Sequence, residues 1–430
     1  MAKAVIIAAP SSGSGKTVVT LALLRALARA GMPVASAKVG PDYIDPRFHA
    51  SATGRACYNL DQWAMRAETI GAHIGALSSG ADLIVIEGVM GLYDGPETGK
   101  GSTADLAISL GLPVILVVDC SHQAQSIAAL VSGFAGFDKA LNLAGVILNR
   151  VSSARHIELL TDALTQIGIK VVGAVPRVDN LALPSRHLGL VQADEHPELD
   201  GFLNEAAGIV EGAVDLDVLK QLAADVPASH KTGMHLPPLG QRIAVANDAA
   251  FGFAYPHLLA AWRDDGADVM PFSPLANEGP DEDADAVFLP GGYPELHGPQ
   301  LSTNADFLSG LRNAARREAL IYGECGGYMV LGDYIIDKAG ERHAMAGLLP
   351  LGTSFAKRKL QLGYRRLSPK TSAPFKSDMR GHEFHFSTID WQGDAEPLFE
   401  AADTTGRPLG SIGMRIGSVM GSYAHIIDQV

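Results

Sequence analysis

Ala4-Val-Ile-Ile-Ala-Ala-Pro10-Ser-Ser-Gly13-Ser-Gly15-Lys16-Thr17 decides the reading of the N-terminal half. An apolar run with strand character, Ala4–Ala9, enters a Gly/Ser-rich turn, and a helical pattern follows over Lys16–Ala30. In this setting glycines let successive backbone N–H groups curl around phosphate oxygens, and the helix N-terminus adds its dipole. Lys16 is placed to reach the outer phosphates and the Thr17 hydroxyl to ligate Mg²⁺. The first glycine of the common G-x-x-x-x-G-K-[S/T] pattern is replaced by Pro10. The stretch reads as a first strand and phosphate loop, not as a signal peptide.

Working outward, further apolar runs read as buried strands: Val34–Lys38, Leu83–Glu87, Val114–Asp119, Val146–Asn149 and Val171–Val175. Helical patterns fall between most of them, at Leu60–Leu77, Ser121–Phe134 and Ser153–Ile167. Apolar strands separated by helices predict a doubly wound parallel sheet. Asp225–Gln241, rich in Pro and Gly and without periodicity, reads as a linker. The α/β pattern then restarts with strands at Ile243–Ala246, Val269–Phe272, Val287–Leu289 and Ala319–Tyr322, and helices at Leu258–Asp264 and Phe307–Glu318. Leu348–Asp390 changes to short alternating runs, which predicts an added antiparallel layer. The expected plan is two α/β domains, 1–226 and 242–430, joined by 227–241.

The length of 430 residues suits two domains. With 34 Lys+Arg against 47 Asp+Glu, the formal charge is −13. Such a chain is a poor candidate for nucleic acid or for anionic membrane surfaces. A polyanionic ligand must instead meet a local cluster of donors. No apolar run is long enough to span a bilayer. The cysteines Cys57, Cys120 and Cys325 lie far apart, without disulfide or metal spacing, which fits a reducing cytoplasm.

Two sets of residues carry chemistry. Glu87 ends a buried strand at its carboxyl edge, where ligands of open α/β sheets bind, and Asp94 follows in the next loop. Lys38, Asp42, Tyr43 and Asp45 lie on what reads as a Gly/Pro-stiffened loop after another strand. The second set is Gly323-Glu-Cys325-Gly-Gly327, a strand-to-helix elbow with a cysteine nucleophile. The helix N-terminus is expected to lower the thiol pKa. Gly291 and Gly292 offer backbone N–H groups for an oxyanion, as does Gly326, and His425 is the candidate base.

The elbow Gly323–Gly332, the loop Leu289–Glu295 and Gly421-Ser-Tyr-Ala-His425 resemble a class I glutamine amidotransferase domain. Together with Lys38–Pro46, Ile86–Gly95, Leu183–Leu190 and Gly381-His-Glu-Phe-His-Phe-Ser387, they resemble the cobyrinic acid / hydrogenobyrinic acid a,c-diamide synthases of cobalamin biosynthesis. In that family a dethiobiotin-synthetase-like phosphate-loop domain precedes the glutaminase. The resemblance implies ATP- and glutamine-dependent amidation of two acetate carboxylates of a corrin ring, with Mg²⁺ as cofactor. By matching position, Gly13, Ser14, Gly15, Lys16 and Thr17 hold the nucleotide, and Asn149, Arg150, Pro176 and Arg177 seat the adenine. Thr17, Asp45 and Glu87 stand near Mg²⁺ and Asp94 near the reacting carboxylate. Lys38, Asp42, Tyr43, Arg186 and His187 are weaker substrate candidates. Cys325 and His425 form the glutaminase pair. The resemblance leaves room for a homodimer and leaves open whether the ring carries cobalt.

One departure stands out. Many class I glutaminases place Glu two residues after the histidine, and here that position is Ile427. His425 is therefore oriented from elsewhere or works in a dyad. Cobyric acid synthase and nickel-sirohydrochlorin a,c-diamide synthase share the general build and are the alternatives. A phosphate-loop ATPase switch with a relic glutaminase is the alternative of another class, and intact Cys325 and His425 argue against it.

Overall fold

The computed structural model describes residues 2–178, 181, 185–186, 189–190, 192–227, 236–370 and 374–430. They fall into two compact units, one of Met1–Trp63 with Ala67–Gly233, the other of Ala64–Arg66 with Met234–Val430. Among the described residues no helix is long and apolar enough to cross a membrane.

The first unit is built on parallel strands β1 (Lys3–Ala8), β2 (Val34–Val39), β3 (Tyr58–Leu60), β4 (Leu83–Glu87), β5 (Val114–Asp119), β6 (Leu143–Val151) and β7 (Val171–Pro176). Their spatial order is β3-β2-β4-β1-β5-β6-β7. The order reverses at β1, so the turn after β1 opens at a switch point of the sheet. Val5, Ile6 and Ile7 of β1 are fully buried, as near-continuous apolar strands covered on both faces should be. Helix α1 (Lys16–Arg29) starts directly after the glycine turn, and Val19, Leu23 and Leu27 put its inner face in the core.

Four expectations about local structure need correction. Leu60–Leu77 is not one helix: β3 ends at Leu60, and the helix runs only over Ala67–Ser78. The Asp61 carboxylate accepts the Trp63 N–H at 3.0 Å and holds a turn in between. Likewise the Ser121–Phe134 helix begins only at Ile127 and extends to Phe137, because Asp119 ties Ser121 into a turn. The segment around Asp45 is not all loop, since helix α2 spans Asp45–Thr53 with Pro46 in its first turn. The linker reading also starts too early: Ala224–Asp225 pairs antiparallel with β1. Residues 228–235 of that segment lie outside the described residues.

The second unit has a six-stranded sheet ordered Asp268–Phe272, Arg242–Ala246, Ala286–Leu289, Leu320–Glu324, Val419–Ser422 and Met414–Ile416. All neighbours are parallel except the last pair. The added layer is larger than expected. A five-stranded antiparallel sheet runs Pro408–Ile412, Phe399–Ala402, Gln361–Pro369, Met379–His385, His425–Gln429. A four-stranded sheet includes Tyr334–Ile336 and Thr388–Gln392. The main core packs Phe251, Phe307, Leu311, Ile321 and Met329 with Leu351.

Candidate active sites

In the first unit the parallel register assembles the site. Ile7 of β1 and Lys38 of β2 both lie opposite Glu87 of β4, although these residues are far apart in sequence. All three are at the carboxyl edge, beside the turn that leads into α1. Gly13 and Gly15 take φ of 83° and 85°, which side chains with a Cβ rarely adopt. Lys16, the first residue of α1, places Nζ 2.9 Å from Glu87 Oε1 and also donates to the Gly88 carbonyl. The same carboxylate oxygen accepts from Thr17 Oγ1 at 2.6 Å and Lys38 Nζ at 2.8 Å. Lys38 also donates to Asp45 Oδ2 at 2.6 Å. The other oxygen of Glu87 meets His49 Nε2 at 2.6 Å.

This is a buried ionic cluster: Glu87 and His49 have no exposure, and Lys38 has 2 %. Burial opposes ionisation of Glu87, but Lys16, Lys38 and His49 overcome it and hold the carboxyl well below its ordinary range. Burial likewise opposes charge on Lys38, and Asp45 and Glu87 outweigh it, so its pKa rises well above normal. For Lys16 burial prevails and lowers the pKa, with Glu87 opposing. His49 is pulled down by burial, yet Cys57 and Glu87 raise it to about 10. The cluster thus collects cationic groups against few carboxylates in a chain of net charge −13. It is the local donor set that a polyanion requires.

Asn149 lies at the end of β6 and donates from Nδ2 to the Ser14 carbonyl at 2.9 Å, and Arg150 donates to the Gly13 carbonyl at 3.1 Å. Both therefore brace the glycine turn. Asn149, Arg150 and Pro176 also line a cleft with Gly15, Val18 and Val175, a half-apolar setting that suits a purine ring. Ser14 is buried, its hydroxyl donating to the Ser11 carbonyl at 2.9 Å. Arg177 is exposed and does not line this cleft.

The weaker candidates divide. Asp42 accepts the Ile44 and Asp45 N–H groups at 2.8 and 3.1 Å, which starts α2. Its pKa rises to about 6, first through burial and then through the negative Asp45. Tyr43 is buried. Asp94 is exposed and accepts the Gly91 N–H at 2.9 Å, and a Cβ on Gly91 would meet both Asp94 Oδ2 and the Pro10 carbonyl. It therefore stands beside the entrance of the glycine turn and not in the Glu87 cluster. Arg186 lies on a two-residue strand, Ser185–Arg186, and its side chain is outside the description. His187 lies outside the described residues. His49 was missed in the sequence. Its one signal was a place four residues beyond Asp45, on the same face of a helix, and the helix itself went unread.

In the second unit Cys325 sits at the elbow between strand Leu320–Glu324 and helix Gly326–Leu331, with φ 47° and ψ −105°. A non-glycine residue in that conformation is strained, as at a sharp nucleophile turn. The turn closes because Gly327 has no side chain: a Cβ there would lie 2.0 Å from the Leu289 carbonyl oxygen. A Cβ on Gly291 would lie 2.4 Å from His425 Cε1, 2.9 Å from its Nε2 and 3.2 Å from Cys325 Cβ. Gly291, His425 and Cys325 are therefore mutual neighbours. Gly326 faces the backbone nitrogen of Gly292, since a Cβ on it would be 2.9 Å away. The two glycine segments thus meet at the elbow.

Electrostatics here correct one expectation. Burial pushes the Cys325 thiol above its ordinary pKa, with Glu295 adding to it, and the Gly326 N–H only partly opposes this. The six-residue helix Gly326–Leu331 is short, and desolvation outweighs its terminus. His425 is lowered to about 3, first by burial and then by His382 and His385. The resting pair is a neutral thiol and a neutral imidazole.

Glu324 is fully enclosed, with Trp262, Phe288, Phe375 and Ile426 among the residues around it. Burial raises its pKa to about 8. Its Oε1 accepts the Ile426 N–H at 2.9 Å, and its Oε2 lies 3.7 Å from His425 Nδ1. Nearby, Glu383 takes Arg365 Nε at 2.6 Å and His385 Nε2 at 2.9 Å, and His385 stacks on Tyr423 at 3.9 Å between ring centres. Sequence reasoning quoted the motif holding Glu383 and His385 but assigned them no role. Cross-strand pairing of Met379–His385 with His425–Gln429 puts them here.

Comparison with known proteins follows the same division. Residues 5–191 match the CobQ/CobB/MinD/ParA nucleotide binding domain, and residues 242–429 match the CobB/CobQ-like glutamine amidotransferase domain. Over nearly its whole length the chain is similar to proteins named hydrogenobyrinate a,c-diamide synthase. Identity is 54 % with that of a Sinorhizobium species, covering 98 % of both chains. It is 53 % with that of Brucella abortus and 50 % with that of Rhodobacter capsulatus, each covering 99 % of this chain and 98 % of the relative.

Proposed function

The chain belongs to the family of hydrogenobyrinate a,c-diamide synthases, and from that premise we propose how its two sites divide the work. The protein is a ligase that amidates the a and c acetate groups of hydrogenobyrinate, with ATP as co-substrate and glutamine as nitrogen donor. A carboxylate resists ammonia because its leaving group would be oxide. The first unit removes that barrier. The substrate carboxylate oxygen attacks the γ-phosphorus of ATP, ADP departs, and an acyl phosphate forms. Such a step is catalysed by positioning and charge. Lys16 and Lys38, gathered by the register around Glu87, offset the negative charge on the phosphates. Asn149 and Arg150 keep the glycine turn in shape and, with Pro176, border the cleft for adenine.

Thr17 and Glu87 converge at 2.6 Å, and Asp45 stands beside them through Lys38. That all-oxygen donor set fits Mg²⁺, a hard cation. When bound, Mg²⁺ supplies charge neutralisation at the phosphate oxygens. Asp94 steadies the Gly91 turn beside Pro10, at the mouth where the ring carboxylate enters.

The second unit makes the nucleophile. Cys325 passes its proton to His425, and its sulfur attacks the side-chain amide carbon of glutamine. The oxyanion faces the backbone N–H groups of Gly291, Gly292 and Gly326. The amide nitrogen takes the proton from His425 and leaves as ammonia, and water later cleaves the thioester to glutamate. Ammonia displaces phosphate from the acyl phosphate. The observation that carries this reading is the strained Cys325 elbow facing His425 across Gly291, in a chain whose other unit holds the Lys16–Glu87 cluster. Free thiols at all three cysteines favour a reducing cytoplasm as its location.

The test supplies ATP, Mg²⁺, hydrogenobyrinate and either glutamine or ammonium, and counts amidations by mass. A parallel assay with cobyrinate decides which ring acid is taken. Cys325→Ala should lose glutamine use and keep ammonium use, and Lys16→Ala should lose both. A folded Cys325→Ala protein inactive with ammonium would refute the division of labour.

A further inference from the structure

His425 lacks the acid two residues downstream that orients the histidine of many related glutaminases, because that position is the buried Ile427. A carboxylate nevertheless reaches the ring from another direction. Glu324 ends its strand immediately before Cys325, while His425 opens the strand His425–Gln429. The Glu324 side chain crosses between them and is anchored by the Ile426 N–H at Oε1. Its second oxygen then stands 3.7 Å from His425 Nδ1. The opposite edge of the ring, Nε2 and Cε1, faces Gly291 and the side of the elbow that carries Cys325. Nδ1 thus faces the Glu324 carboxyl and Nε2 the elbow, while the Phe253 backbone also hydrogen-bonds the ring.

We propose that Glu324 is the positioning residue of His425: its Oε2 accepts the Nδ1–H and so fixes the tautomer whose Nε2 lone pair faces the thiol. This rests on the reading of Cys325 and His425 as the glutaminase pair. The present separation exceeds a hydrogen bond, and such contacts shorten when a site closes on its substrate. Glu383 also acts on His425 and raises its pKa. Its oxygens already hold Arg365 and His385. Glu324 has an oxygen 3.7 Å from His425 Nδ1, and it is held from the same β-strand that presents the nucleophile. One rigid element thus sets both ends of the relay. The low proton affinity of His425, a consequence of burial, gives the contact its purpose: a hydrogen bond from Nδ1–H to Oε2 lowers the cost of the imidazolium as the thiol is deprotonated.

The experiment uses the full chain with Glu324→Gln and Glu324→Asp, beside wild type and Cys325→Ala. Glutamine hydrolysis gives kcat and KM, ammonium-dependent amidation of hydrogenobyrinate reports on the other site, and thermal unfolding checks the fold. The amide of Gln preserves shape and can still accept the Ile426 N–H, so the anchor survives. Glu324→Gln should lose about 10²-fold in kcat for glutamine, with glutamine KM and ammonium-dependent amidation little changed. Glu324→Asp should recover part of the kcat. Wild-type kcat in Glu324→Gln overturns the proposal. So does a joint fall of kcat, KM and ammonium-dependent activity, the mark of a structural role. Should Gln fail to fold, the Asp variant decides by the same split. Continued glutamine use by Cys325→Ala would instead strike at the nucleophile assignment, and this proposal would fall with it.

Discussion

Replacing Gly291 with alanine tests the geometry of the thiol site at one atom. Gly291 is not among the glycines with positive φ, so its backbone accepts a Cβ without strain. Space is the problem. The new carbon would lie 2.4 Å from His425 Cε1 and 3.2 Å from Cys325 Cβ. Unstrained carbon contacts need about 3.5–4.0 Å, so either the imidazole or the loop must give by about 1 Å. The loop is held, because the Gly291 carbonyl accepts the Phe253 N–H at 2.9 Å. The imidazole is therefore expected to move, and a displacement of that size at a reacting group costs roughly 10²-fold in rate. Glutamine-dependent amidation should fall by that factor, while ammonium-dependent amidation should match wild type. The assay compares initial rates with the two nitrogen sources on the same preparation. Glutamine-dependent turnover at the wild-type level would refute the reasoning. It would mean that His425 can shift freely, and a base that must be positioned for proton transfer cannot.

Further consequences concern the two buried acids at the centres of the sites. Glu87→Gln leaves Lys16, Lys38 and His49 facing one another with their shared carboxylate gone. Unpaired buried charge of this kind costs about 3–5 kcal/mol, so the melting temperature should drop markedly, and amidation should be lost with either nitrogen source; a variant as stable as wild type would remove the cluster from the account. Glu324 gives a pH test of opposite sign. Its carboxyl is raised from 4.5 to about 8, so the folded state keeps a proton that the unfolded state releases. Its contribution to stability is complete below the unfolded value and is lost as pH rises through about 8. Removing the titration with Glu324→Gln should therefore leave stability near wild type at low pH and raise it, by on the order of a few kcal/mol, at alkaline pH. Unfolding curves across that range check it, and a gap that narrows with rising pH would contradict the burial argument.

Much of the molecule is legible in its sequence. The glycine turn after Ala4–Ala9 and the elbow around Cys325 are local chemistry, written in consecutive residues, because a tight turn needs particular residues at particular places. Buried strands also announce themselves by apolar runs. Helix α2 did not, because Pro46 looks like a loop residue while it sits in the helix's first turn. The thiol pKa was misjudged for a related reason: a helix terminus can be read from sequence, but desolvation depends on what packs over the group.

The sequence by itself determined two active halves, the family resemblance and the reactive residues within each turn. Tertiary structure alone decided who stands beside whom. Parallel register set Lys38 against Glu87, and a helix not read in advance delivered His49 to the same carboxylate. The pairing of Leu320–Glu324 with Val419–Ser422 brought Glu324 to His425, 101 positions away. Such pairings depend on strand order and register, which are settled by the burial of whole faces and leave no mark at the residues that profit from them.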